Sequence, residues 1–93
     1  MVKHIVMYSI KSELDKEACV NKIRSLLEPL VGQIPGLLHL EVRQAFAGMD
    51  YALYAEFENR ETLAGYADHP LHLAAKKQFA HMIVKRVSAD YEI

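Results

Sequence analysis

The 93-residue sequence predicts one α+β domain spanning residues 1–93, built on a single four-stranded antiparallel sheet. Apolar residues alternate along four segments, as in strands, and recur at helical spacing along two others. The segments follow one another as strand, helix, strand, strand, helix, strand, with the second helix broken. This order is the ferredoxin-like β-α-β-β-α-β arrangement, with helices on one face of the sheet. Both faces of the first strand are apolar, so we expect something other than helices to cover the second face.

The first half of the chain predicts a strand followed by a long helix. The strand covers residues 2–10, where β-branched and aromatic residues alternate. The helix covers residues 13–33, with Ser12 as its N-cap. Pro29 lies inside the helical pattern and predicts a kink or a change of pitch, because proline removes one backbone donor. Pro35-Gly36 predicts the turn that follows.

The second half predicts a hairpin, a broken helix and a final strand. A glycine-containing connection at residues 48–50 joins the two hairpin strands. The predicted elements are strands at residues 37–46 and 51–58, a helix at 60–67 capped by Asn59, a helical segment starting at Pro70, and a strand at 84–93. One face of the second strand is expected to carry Leu38, Leu40, Val42 and Phe46, and one side of the last helix Leu71, Ala74, Ala75, Gln78, Phe79 and Met82.

Charge and composition exclude several classes of protein. Eleven Lys and Arg against twelve Asp and Glu give a net charge of −1, which provides no basic surface for nucleic acid or for an anionic membrane. No apolar run approaches the roughly 20 residues that cross a bilayer. A lone Cys19 excludes an intrachain disulfide, and the N-terminus lacks the apolar core of a signal peptide. We therefore expect a cytoplasmic protein with no nucleic-acid or membrane partner.

The small size of the chain predicts self-association. A domain of this length buries only about 60% of its unfolded surface, which leaves a lone core marginal. Small domains that lack a disulfide or a metal gain stability by forming oligomers. A partner copy would also cover the second apolar face of the first strand.

Several short motifs, in order and at consistent spacing, resemble the stress-responsive A/B barrel (Dabb) family over nearly the whole chain. The resemblance implies a homodimeric α+β barrel, in which two four-stranded sheets face each other and enclose a cavity. The most specific motif is Tyr66-Ala67-Asp68-His69-Pro70-Leu71-His72. The others are Val2-Lys3-His4-Ile5-Val6, Ile34-Pro35-Gly36, Ala55-Glu56-Phe57-Glu58 and Asp90-Tyr91-Glu92.

The resemblance also implies roles for individual residues. A plant member of the family that forms olivetolic acid by an aldol reaction has histidine and tyrosine at positions matching His4, Tyr66 and His72. It implies that His72 is a general base, that Tyr66 holds the substrate and that His4 lines the cavity. A neutral imidazole has an ordinary pKa near 6.5, which suits proton removal beside a carbonyl, and a tyrosine hydroxyl can stabilise the enolate. Such chemistry needs no cofactor.

The remaining candidates for the cavity are Val6, Tyr8 and His69. Val6 and Tyr8 share a strand face with His4, and His69 belongs to the most specific motif. His69 and His72 are three residues apart, but Pro70 lies between them and no third ligand follows at a zinc-like spacing, so we expect no metal site.

Three functions stay open at this point. The first is binding of a small molecule in the barrel cavity by a cytoplasmic homodimer, with no assigned activity. The second is a cofactor-free cyclase or lyase acting on a carbonyl compound, which requires an open cavity and an unpaired nitrogen on His72. The third is a purely structural stress protein, with a filled cavity and histidines that only fix the corner before the last helix.

Overall fold

The computed structural model describes all residues, 1–93. Its element order confirms the predicted β-α-β-β-α-β arrangement, with α2 and α3 as the two parts of the broken second helix. The strands are β1 (Val2–Ile10), β2 (Leu37–Gln44), β3 (Tyr51–Phe57) and β4 (Ile83–Glu92), and the helices are α1 (Lys16–Leu27), α2 (Arg60–Asp68) and α3 (Pro70–Phe79). Short 3₁₀ turns, Glu28–Leu30 and Ala80–Met82, follow α1 and α3.

The four strands form one antiparallel sheet in the order β2-β3-β1-β4. β1 is therefore central, and β4 is an edge strand. In this register His4 lies opposite Ala55 on β3 and Asp90 on β4. Arg86 lies opposite Tyr8, on the same face of β4 as Asp90 and two alternation steps before it. The pairing brings residues from the two ends of the chain to one side of the sheet.

All three helices pack on that side, and the core lies between them and the sheet. Val6 and Phe57 are fully buried there against Leu27 of α1. The opposite side, which we call the open sheet face, carries no helix: Met7 and Val87 on it are each about two-fifths exposed. None of the helices combines the length and apolar character needed to cross a membrane.

The first helix is shorter than predicted at both ends. Ser12 is not the N-cap, because the chain first makes a turn closed by the Leu14 amide, which donates to the Lys11 carbonyl at 3.1 Å. Asp15 occupies the N-cap position and makes no side-chain capping bond. The change of pitch at Pro29 is confirmed: α1 ends at Leu27, and proline lies within the 3₁₀ turn that follows.

The predicted burial was wrong at two positions of β2. The register with β3 shifts between Leu37 and His39, so Leu37 is buried and Leu38 is exposed. Phe46 lies beyond the end of β2 and is fully exposed. A single extra residue in a strand reverses which side chains face the core, and sequence alternation alone does not reveal it.

On α3 the predicted apolar side is narrower than expected. Ala75, Phe79 and the following Met82 are buried, whereas Leu71, Ala74 and Gln78 are exposed. α3 contacts α1 and α2, and only one row of its side chains is buried.

Candidate functional site

A cavity of about 280 Å³ lies between the sheet and the helices of a single protomer. The sequence predicted a cavity between two facing sheets; the candidate residues His4, Tyr8, Tyr66 and His72 instead line this cavity on the helix side of one sheet. His4 alternates in phase with Val6, and this phase faces the helices rather than the open sheet face. The lining is mostly apolar: His4, Tyr8, Leu27, Leu53, Leu63, Tyr66, Ala67, His72, Lys76, Phe79, Ala80, Ile83 and Arg86.

The junction between α2 and α3 places His72 beside Tyr66. Pro70 is the first residue of α3, and the ring Nδ1 of His69 accepts the Leu71 amide at 3.1 Å, which caps the helix. His72, the third residue of α3, then places its ring over Tyr66, with ring centroids 4.0 Å apart and planes 28° apart.

The hydrogen-bond partner of Nδ1 determines which ring nitrogen of His72 carries the proton. Nδ1 lies 3.3 Å from the Ala67 carbonyl oxygen, which can only accept, so Nδ1 carries the proton and donates. In the neutral ring Nε2 then keeps its lone pair, and it has no hydrogen-bond partner in the protein. His72 thus holds an unprotonated nitrogen in a cavity.

Burial sets the protonation state of both residues. It lowers the pKa of His72, with the charge of Lys76 adding to the effect and the carbonyl of Ala67 opposing it. Burial also raises the pKa of Tyr66, which keeps its hydroxyl protonated at neutral pH. The site therefore pairs a neutral imidazole with a neutral phenol. One is a potential base and the other a potential hydrogen-bond donor.

His4 connects the cavity to β4. Its Nδ1 donates to the Asp90 carboxylate at 2.5 Å, and the residue is 8% exposed. It contacts Tyr66 edge-on, with centroids 6.3 Å apart. The carboxylate fixes the ring orientation and leaves Nε2 on the other side of the ring.

The structure brings four of the six candidate residues together: His4, Tyr8, Tyr66 and His72 all line the cavity. Val6 does not line it, because this fully buried side chain belongs to the core. His69 does not line it either, since its ring is used as the cap of α3.

The sequence did not point to Lys76, to Arg86 or to the pairing of Asp90 with His4. Lys76 follows His72 by four residues, a spacing that places both on one helix face. Arg86 and Asp90 lie on one face of β4, where they are opposite Tyr8 and His4 of β1. Only the strand pairing brings Arg86 to the cavity and Asp90 to His4. The alternation of apolar residues along β4 marks the other face of the strand, with Val87, Ala89, Tyr91 and Ile93, which are all exposed. No group of three or more His, Cys, Asp or Glu side chains is arranged to hold a metal ion.

Comparison with solved structures shows close relatives of the fold. A dimeric protein of unknown function with a ferredoxin-like fold from Bacteroides fragilis is 32% identical, with a TM-score of 0.89, over 99% of this chain and 95% of that one. A dimeric ferredoxin-like protein of unknown function from Thermobifida fusca is 24% identical, with a TM-score of 0.84, over 99% and 90%. The hydroxynitrile lyase of Passiflora edulis is 21% identical, with a TM-score of 0.83, over 99% and 92%.

A comparison with curated proteins found no match. The family model of the stress responsive A/B barrel domain matches residues 2–93, which is nearly the whole chain. The family predicted from the sequence is thereby confirmed, together with its ferredoxin-like fold. The chain belongs to the stress responsive A/B barrel domain family.

Proposed function

We propose that the cavity between the sheet and the helices binds a small organic molecule. Its volume of about 280 Å³ lies near the lower end of the roughly 300–1,000 Å³ typical of ligand sites. Its lining follows the usual pattern of such sites, with a mostly apolar wall and a few convergent polar groups. The ligand would be small and largely apolar.

The observation that carries this proposal is the unpartnered Nε2 of His72 in an apolar cavity. The His72 ring is partly buried and lines the cavity, so the free lone pair of Nε2 is available to accept a hydrogen bond from a molecule bound there. A ligand that donates to Nε2 would satisfy it. Tyr66 would supply a second contact from the neighbouring ring.

Two-dimensional NMR of the ¹⁵N-labelled protein with a library of small aromatic carbonyl compounds tests binding. We expect shift changes concentrated at His4, Tyr66 and His72. The variant Ala67→Phe places a ring in the cavity wall and should abolish them. The matched control Ala74→Phe, on an exposed site of α3 outside the cavity, should leave them intact. Equal loss in both variants, or binding unaffected by Ala67→Phe, would contradict the proposal.

A second candidate function is cofactor-free lyase or cyclase chemistry, which the tautomer of His72 favours. His72 Nε2 would take a proton from the carbon next to a carbonyl; the electron pair of that C–H bond would form the C=C bond of the enolate, and the π pair of the C=O bond would move to the oxygen. The protonated Tyr66 hydroxyl would donate to the resulting enolate oxygen. The Passiflora edulis neighbour is a lyase on the same fold, which gives a precedent for catalysis there.

Hydrogen–deuterium exchange at the methyl group of acetophenone in D₂O tests this step directly. We expect the protein to speed exchange and His72→Gln to lose roughly 10²–10⁴-fold of the enhancement, the usual range for a general base. His69→Asn, which alters the helix cap outside the cavity, should keep the enhancement. Equal exchange in wild type and His72→Gln, with both folded by circular dichroism, would count against catalysis.

We further propose that the protein is a homodimer joined through its open sheet face. Around Met7 and Ile5 this face carries apolar side chains of β1 and β4, including Val87 and Tyr91. The 32%-identical Bacteroides relative is described as dimeric, which supports self-association here. An isologous pairing would bury the same patch on both copies. We place this dimer in the cytoplasm, where the buried free thiol of Cys19 would stay reduced.

A further inference from the structure

The charges around the cavity have one sign. Lys76 on α3 and Arg86 on β4 line it, and no Asp or Glu does. Neither cation forms an ion pair within 4 Å, although seven such pairs exist in the molecule. The Arg86 guanidinium makes one hydrogen bond, from Nη1 to the Ser88 hydroxyl at 3.3 Å. Two cations are therefore free at the cavity while the chain as a whole has a net charge of −1.

The two acidic residues of β4 that follow Arg86 are paired with other side chains. Asp90 accepts from His4, and Glu92 pairs with Arg60 at 3.0 Å. Both carboxylates border a second groove, which lies beyond Leu63 and is separate from the cavity. Arg86 and Asp90 lie on one face of β4 but four residues apart, roughly 13 Å along the strand. The fold thus separates the acidic end of β4 from its cationic end.

Both cations border the cavity, and their charges act on its polar groups. Lys76 follows His72 by one turn of α3, so the two side chains share a face of the helix. Arg86 lies across from Tyr8 in the sheet register. The positive charge of Arg86 also acts on the Tyr66 hydroxyl, where it partly opposes the rise in pKa caused by burial. A negative group placed between the two cations would lie within the same cavity as His72 and Tyr66.

We propose that the ligand is a small organic carboxylate whose anionic group is bound between Lys76 and Arg86. This rests on the proposed binding function and names its ligand class. Guanidinium and ammonium groups bind carboxylates through charge-assisted hydrogen bonds, which are about twice as strong as neutral ones. Anchoring there leaves the apolar remainder of the ligand against Phe79 and Leu27, within the cavity that holds His72.

Benzoate and its neutral isostere benzamide separate this proposal from the general binding function. Both are titrated into wild type, Arg86→Gln and Lys76→Gln, with affinity read from NMR shifts of cavity residues. We expect benzoate to bind wild type at least roughly tenfold more tightly than benzamide, and each variant to lose most of that preference. The controls Lys77→Gln and Lys85→Gln neutralise neighbouring cations outside the cavity and should retain it.

Each failure has a different meaning. Equal binding of the two compounds to wild type, or a preference that survives both Arg86→Gln and Lys76→Gln, would overturn the carboxylate proposal while cavity binding stands. Equal loss of preference in the Lys77→Gln control would also overturn it, since the effect would then be general electrostatics. Binding of neither compound at millimolar concentration would contradict both the carboxylate proposal and the cavity function.

Discussion

Residues close to His72 in the chain determine the position and the tautomer of its ring. The Ala67 carbonyl at the end of α2 binds Nδ1 of His72, and the ring of Tyr66 stacks on it at 4.0 Å. All three residues lie within seven positions, in the motif that carries the family resemblance. This is why sequence alone could nominate Tyr66 and His72 together. The two cations that share the cavity come from four and fourteen residues beyond His72, and only the folded register relates Arg86 to it.

The lowered pKa of His72 predicts an unusual pH dependence. A histidine that stays neutral below its ordinary value of about 6.5 keeps its base form at lower pH. Exchange activity that depends on His72 should therefore persist below pH about 6.5. An NMR titration of the His72 ring should give a midpoint below the same value. A midpoint at or above it would contradict the burial of this ring.

The same shift has a consequence for stability. Because the folded-state pKa lies below the unfolded one, the unfolded chain takes up the proton first as pH falls. The free energy of unfolding should then decrease from pH about 6.5 downward, and His72→Gln should flatten that slope.

Tyr51 offers a test of how the core tolerates an unpaired hydroxyl. Its buried oxygen has no hydrogen-bond partner, while its ring stacks on Tyr8 at 4.6 Å. Tyr51→Phe keeps the ring and removes the oxygen, so we expect the free energy of unfolding to rise by about 1 kcal/mol. Urea denaturation measures it. Tyr54→Phe is the opposite control, because its hydroxyl donates to Glu56 at 2.7 Å and its loss should not stabilise. A less stable Tyr51→Phe would refute the assignment.

At the scale of elements, order and type could be predicted from periodicity, and boundaries could not. The alternation of β3 and the cap at Asn59 are local signals, and both match the structure. The start of α1 depends on the Lys11–Leu14 turn, and the face of Leu38 depends on a register shift against β3. Both are set by neighbouring strands rather than by the segment itself.

The connection between α1 and β2 depends on Gly36. Its φ of +80° is in the left-handed region, and a Cβ built there would lie 2.2 Å from Thr62 Cγ2 of α2. Gly48 has nearly the same φ, +84°, with open space around it. Gly48→Ala should therefore lower the free energy of unfolding by about 1–2 kcal/mol, from backbone strain alone. Gly36→Ala should lower it by at least about 1 kcal/mol more, because of the clash with Thr62. Thermal or urea unfolding of both variants separates the backbone strain from the clash. Equal losses of stability would show that α2 moves away from residue 36 at no cost, and would contradict the prediction.

At the scale of the whole molecule, the two faces of the sheet differ: one packs against the helices and lines the cavity, and the other carries no helix. Both faces of β1 are apolar; the helices cover one of them, and cover for the other stays a prediction. The phase of the alternation then decides which residues face which layer, and it puts His4 under the helices. Sequence could not assign that phase because both faces carry apolar residues. It follows that all the residues lining the candidate site come from one protomer, and that no helix covers the open sheet face.

This separation predicts opposite effects for two charged substitutions. Met7→Asp puts a carboxylate at the centre of the open sheet face and should convert the dimer to a monomer. Leu73→Asp, at a similarly exposed apolar site on α3, should leave the dimer intact. Sedimentation velocity distinguishes 10.6 kDa from twice that mass. A folded wild-type monomer at micromolar concentration, or a dimer that survives Met7→Asp, would contradict pairing through the sheets.

The most direct test of the account is a crystal structure of the protein with benzoate. We predict one benzoate per protomer between the sheet and the helices, with its ring beside His72 and Tyr66 and its carboxylate between Lys76 and Arg86. The partner copy should lie on the opposite side of the sheet, against Met7. Benzoate enclosed between the two sheets, or a cavity that stays empty beside His72, would contradict the central claim.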